Sequence, residues 1–186
     1  MEKQLDISEI KRIDLFADVV FKIKVTTSKT KTLIIRTTAE GEYAENVVLD
    51  IKQSLSTLSI KPGMTPFFTK ENDKLAAHKV MAIELELIVP ENLYITISST
   101  LASLYCSGNF KHFQAYLESG ICEVSTFKGD GLVQTKSGNI IVHALEDVHV
   151  QAQTTSGLII GQTNQAPLYT LEIKSLSGDI TILETN

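Results

Sequence analysis

The sequence predicts an all-β protein built as a β-solenoid, and three observations carry that expectation. Strand signals run the length of the chain, with β-branched residues such as Ile34, Ile35, Val47, Val48, Ile83, Ile95 and Ile97 set between clusters of Gly, Pro, Asn and Ser. Helix signals are confined to residues 40–46 and 71–78, each long enough for a turn or two. A Ser-Gly pair recurs at Ser119-Gly120, Ser137-Gly138, Ser156-Gly157 and Ser177-Gly178, at intervals of about eighteen to twenty-one residues, the range in which solenoids repeat.

The flanks of these pairs agree in character. Two residues after each Gly stand Cys122, Ile140, Ile159 and Ile180, and five before stand Ala115, Val133, Ala152 and Ile173, all apolar. Three before stand Leu117, Thr135, Thr154 and Ser175, mostly small. Four before stand Tyr116, Gln134, Gln153 and Lys174, a wetter set. Each unit therefore reads as two short alternating strands meeting at a tight corner, where Gly accepts φ > 0 and Ser bonds nearby backbone. One unit cannot bury its apolar face alone, whereas stacked units pair their backbones and align like residues into inward ladders. On this register Cys122, Ile140, Ile159 and Ile180 form one buried ladder. A second set of corners falls at Gly129-Asp130-Gly131, Glu146-Asp147 and Asn164-Gln165-Ala166-Pro167, while Gly108 stands outside the register on an irregular coil.

The first half is less periodic. Ile83-Glu84-Leu85-Glu86-Leu87 and Leu93-Tyr94-Ile95-Thr96-Ile97 alternate with period two, and Pro90-Glu91-Asn92 reads as the turn between them. Pro62-Gly63 reads as another turn. The expected organisation is one domain over residues 1–186. Residues 1–100 form irregular β-coils with an insertion loop at 62–78, and residues 101–186 form regular Ser-Gly-cornered coils.

Composition narrows the partners. The chain has 186 residues and a formal net charge of −5, and Arg12 and Arg36 are its only arginines, so it lacks the basic patch that a nucleic acid requires. No segment has the length of a membrane span. The N-terminus shows no apolar signal region, which predicts a cytoplasmic chain as written, exported or surface-bound if a signal has been removed. Cys106 and Cys122 make neither a disulfide framework nor a metal motif and read as small buried hydrophobes.

The corner strands Lys136-Ser137-Gly138-Asn139-Ile140-Ile141-Val142 and Leu176-Ser177-Gly178-Asp179-Ile180-Thr181-Ile182 resemble the bacterial putative-adhesin β-helix family, a domain of unknown function like an autotransporter-adhesin head. So does the segment from His78 to Pro90, which is similar to that family's strand ending in Val-Pro. The likeness runs from about Ile10 to Leu183. It implies a single-stranded right-handed β-solenoid and brings no catalytic or ligand residues with it.

The titratable residues predict no catalytic, cofactor or metal site. His143 and His149 flank a corner, but no acidic or thiolate partner repeats beside them to complete a metal site. Glycoside cleavage needs two carboxylates across a cleft. The carboxylates on the coils are scattered and not stacked, although Asp130 and Asp147 both lie at second-corner positions and would face one groove. The expected function is a non-catalytic binding or scaffold module of adhesin-like type, not an enzyme, with a protein or glycan as partner. The alternatives are a self-assembling cytoplasmic β-helix of the bactofilin kind and, further off, a polysaccharide-active enzyme. Homo-oligomers would form through the solenoid ends or the 62–73 loop. In that loop Phe67 and Phe68 either fold back over apolar surface or form a partner contact.

Overall fold

Apolar–polar alternation in sequence becomes alternation of burial in the folded chain. In Ala82–Pro90 every second residue, Ile83, Leu85, Leu87 and Val89, is buried, and the residues between them face outward. The computed structural model describes residues 1–41, 44–65, 82–162 and 168–184. Across these it is all-β, with one 3₁₀ turn at Ala44–Asn46 where the sequence suggested a short helix.

The strands in chain order begin with β1 (Glu2–Asp6), β2 (Arg12–Phe16), β3 (Lys22–Ser28), β4 (Thr32–Glu40) and β5 (Val47–Ser54). Next come β6 (Thr57–Met64), β7 (Ala82–Pro90), β8 (Tyr94–Ser99), β9 (Ser103–Leu117) and β10 (Cys122–Thr135). The last are β11 (Ile140–Ala144), β12 (Val148–Thr154), β13 (Ile159–Ile160), β14 (Tyr169–Ser175) and β15 (Ile180–Glu184). They pair in two ladders. The first runs β1-β4-β7-β3-β9-β10-β11-β15-β13, and the second runs β5-β6-β2-β8-β9-β10-β14-β12. β9 and β10 belong to both because each bends midway: β9 at Gly108, and β10 near Thr126 and Gly129, all with positive φ. Gly108 thus marks a bend of its own, opposite Phe127 and outside the Ser-Gly register as expected, but it lies within β9 and not on an irregular coil. Pairing is antiparallel at β1·β4, β4·β7 and β5·β6 and parallel elsewhere.

One buried cluster extends from Ile7 to Ile182 between the ladders. Phe110, Phe113 and Phe127 pack together beneath the bends, with ring centroids 5.0–6.1 Å apart.

The repeat register holds within each strand, but the order of layers does not follow the chain. Cys122 pairs with Ile140, Ile140 with Ile180, and Ile180 with Ile159. β14 and β15 enter between layers already laid down: β14 lies between β10 and β12, and β15 between β11 and β13. The expected ladder is therefore corrected to Cys122, Ile140, Ile180, Ile159. Its last member is 46% exposed, because among the described residues β13 is an edge strand with no layer beyond it. The other end is interleaved too, with β7 inserted between β3 and β4.

The corner residues act differently from expectation. Gly120 has φ +91, but Gly138, Gly157 and Gly178 do not need a positive φ. They are glycine because the corners stack backbone on backbone. A Cβ at Gly138 would collide with the Gly120 carbonyl, one at Gly178 with the Gly138 carbonyl, and one at Gly157 with the Gly178 carbonyl. The serines bond across layers and not locally: Ser119, Ser137 and Ser177 hydroxyls donate to the carbonyls of Thr100 (2.8 Å), Glu118 (3.1 Å) and Lys136 (3.2 Å).

Pro62 and Gly63 lie inside β6, opposite Leu49 and Val48, and do not form a turn. Pairing of β6 with β2 stops at Ile60, so the amide that Pro62 lacks interrupts no ladder on that side.

Candidate functional site

Parallel, in-register pairing lines up outward side chains into rows across the second ladder. One row is Phe16, Ser98, Tyr116, Gln134, Lys174 and Gln153. The next, two residues earlier on each strand, is Asp14, Thr96, Gln114, Leu132, Glu172 and Gln151. Beside the first row the Ser-Gly corners rise as a ridge carrying Glu118, Lys136 and Leu176. Between row and ridge runs an open groove of about 570 Å³, lined by Tyr116, Gln134, Gln153, Lys174, Lys136 and Leu176 among others. A smaller hollow of about 410 Å³ continues it over the corners past Leu101 and Ser137.

The groove is built to stay rigid. Beneath it, three residues before the corner, runs a second row: Ser99, Leu117, Thr135, Ser175 and Thr154. Its hydroxyls tie the corners together. Thr135 Oγ1 donates to the Gly138 carbonyl at 2.7 Å and lies 3.0 Å from Ser175 Oγ, which accepts the Gly178 N–H at 2.8 Å. Thr154 Oγ1 accepts the Gly157 N–H and donates to the Gly178 carbonyl, both at 3.1 Å. Ser99 Oγ does the same between the Ala102 N–H and the Ala17 carbonyl. Thr135, Ser175 and Ser99 are buried, so these bonds form away from competing water.

Chemically, the groove offers one aromatic face (Tyr116, 40% exposed), two amides that both donate and accept, two ammonium groups, the Glu118 carboxylate and the Thr155 hydroxyl. Glu172 holds Lys174 Nζ at 2.7 Å, which offsets part of its charge. The sequence marked Tyr116, Gln134, Gln153 and Lys174 as the wet position of the repeat. It did not show the groove, because the groove needs the ridge and the altered order of layers. Long side chains recurring at one offset were the available signal.

The acidic and histidine candidates have these neighbours. Asp130 accepts the Thr170 N–H at 2.9 Å, and Asp147 pairs with Lys128 Nζ at 2.9 Å. His143 Nε2 lies 3.3 Å from Glu123. Among the described residues no three His, Cys, Asp or Glu side chains converge as metal ligands. Cys106 and Cys122 are free and fully buried. Desolvation pushes the Cys106 thiol well above its ordinary value and the Cys122 thiol up to about 12. Phe67, Phe68 and the turn at residues 164–167 lie outside the described residues. No helix among the described residues is long and apolar enough to cross a membrane.

No family model matches the chain, and no curated protein matches it. Solved structures do. A putative cell adhesion protein from Clostridium sporogenes superposes with a TM-score of 0.58 at 12% identity, covering 100% of this chain and 99% of that one. A putative adhesin from Bacteroides fragilis aligns over 98% of this chain and 96% of its own, at 12% identity and a TM-score of 0.40. The likeness to the Clostridium protein extends over both chains end to end, and at that identity it is a likeness of fold.

Proposed function

We propose that the chain is a non-catalytic, adhesin-like binding module whose ligand lies along the groove between Tyr116 and Gln153. We read the two ladders as turns of one right-handed β-solenoid, a reading supported by the parallel pairing and the stacked corners. The observation that carries the functional proposal is the outward row Tyr116-Gln134-Lys174-Gln153, fixed from below by the buried hydroxyls. Its polar groups recur at the spacing of neighbouring strands, about 4.8 Å. A polymer with repeated polar groups meets such a row at several points. Tyr116, Gln134 and Lys174 lie on strands paired on both sides, so over most of the groove a peptide would find no free backbone ladder to extend; only at Gln153 does the groove reach an edge strand, β12. A hydroxyl-rich chain stacking one ring on Tyr116 and bonding the amides fits better, which favours a glycan. The fold of the Clostridium adhesion protein supports the adhesin-like reading, and such a role is exercised at a cell surface.

A glycan array with the parent chain and a Tyr116→Ala, Gln134→Ala variant tests this. Both side chains point out of the sheet, so the variant keeps its fold, which circular dichroism checks. The expected result is retention of at least one glycan class by the parent and at least about a tenfold weaker Kd in the variant, as for loss of an aromatic anchor. Failure of the parent chain to retain any glycan, or unchanged binding by the variant, overturns the proposal.

A further inference from the structure

From Val148 to Leu171 the sequence contains no Asp, Glu, Lys or Arg, its longest stretch without them, in a chain of net charge −5. That stretch supplies β12 and β13, the terminal strands of the two ladders at the same end of the stack. Among the described residues, β12 pairs only with β14 and β13 only with β15, so each has one unextended edge. Leu158, Ile159 and Ile160 are 66%, 46% and 55% exposed there. The opposite end differs. Its edge strands carry Glu2, Lys3 and Asp6 on β1 and Asp50 and Lys52 on β5, the ordinary protection of a free edge.

We propose that the β12–β13 end is a homodimer interface, closed about a two-fold axis that sets the terminal strands antiparallel to their twins. The occupant is a second copy because the layer is neutral. Two such layers meet without repulsion and without stripping water from an ion, and each brings the same unpaired edge and the same apolar cluster. A head-to-tail contact would set that neutral layer against charged β1 and β5, so the assembly stops at two and does not grow into a filament.

Sedimentation of the full chain across a dilution series, beside a Leu158→Lys, Ile160→Lys variant, is the test. Both residues are exposed, so the fold is retained. Gln151→Lys, on the exposed side of β12, gives a second variant that disturbs no apolar contact. The parent chain is expected to reach the mass of two copies and no more. Either lysine variant is expected to raise the dimer Kd at least about tenfold, and Asp50→Lys at the far end is expected to leave it unchanged. A parent chain that is monomeric throughout, a mass that keeps rising past two, or lysine variants that pair as before would each overturn the proposal.

Discussion

Ile140 pairs with Ile180 on the adjacent parallel strand, forty positions away in the chain, and Ile159 lies beyond both. Ile140 and Ile180 are fully buried, while Ile159 is half open at the edge. Ile180→Ala is therefore expected to cost about 2–5 kcal/mol, as for other buried large-to-small changes. Ile159→Ala is expected to cost less than about 1 kcal/mol, nearer to a surface substitution. Urea denaturation of the two variants decides the order of layers: equal losses would restore the sequential stack.

The corner glycines are held by contact with the next layer. Gly178→Ala places a methyl group against the Gly138 carbonyl and should cost about 1–3 kcal/mol by overpacking. Gly63→Ala meets nothing near its Cβ and serves as the control. Thermal melts of both proteins should separate them clearly.

Thr135→Val keeps the shape of the side chain and removes its hydroxyl. The Gly138 carbonyl and Ser175 Oγ then each lose a buried partner. The expected loss is about 1–3 kcal/mol. Ser137→Ala, whose hydroxyl is exposed, should change stability far less. Comparable effects from the two would show that the hydroxyl row does not hold the corners.

Acid should weaken the first ladder through Glu86. Lys24 Nζ, at 3.0 Å, and Arg36 Nη1, at 3.1 Å, hold its carboxyl below the ordinary value of 4.5. The folded state thus binds this proton less readily than the unfolded chain. Its stabilisation is fully present above pH 4.5 and is lost as pH falls through the folded value. Glu86→Gln should be slightly less stable than the parent at neutral pH, by under about 1 kcal/mol for so exposed a network. The gap should narrow below pH 4.5, as read from denaturation curves at several pH values.

Strand content and inward–outward phase were legible because both follow from local alternation. Cys122, Ile140 and Ile180 share a ladder, as their common offset from the corner Gly requires. The order of layers was not legible. The flanks of Gly157 and Gly178 are nearly interchangeable in character, so either unit satisfies the surface offered by β10 and β11. The difference lies in position 161. Gly161 follows Ile160 where Val142 and Ile182 stand in the other units, which leaves β13 short and suited to an edge. Pro62 was misread because a proline inside a strand is tolerated where one neighbouring ladder has already ended. The wet residues of the groove were visible singly, but their gathering beside a ridge depends on which unit lies next to which.

The interleaved end has a consequence for how the chain reaches its native state during synthesis. The ribosome delivers β12 and β13 before β14 and β15, yet the native place for the later pair is nearer the body of the stack. At the moment β12 emerges, the edge of β10 is vacant and matched to it in pattern. Docking there would occupy the edge of β10 that β14 takes in the native fold. Reaching the native order then requires that this early partner stay loose, or let go, until β14 and β15 have been made, since synthesis runs at only about 5–20 residues per second. Similarity between neighbouring repeats, which makes the layers stackable, thereby sets a race between an early arrival and the rightful one.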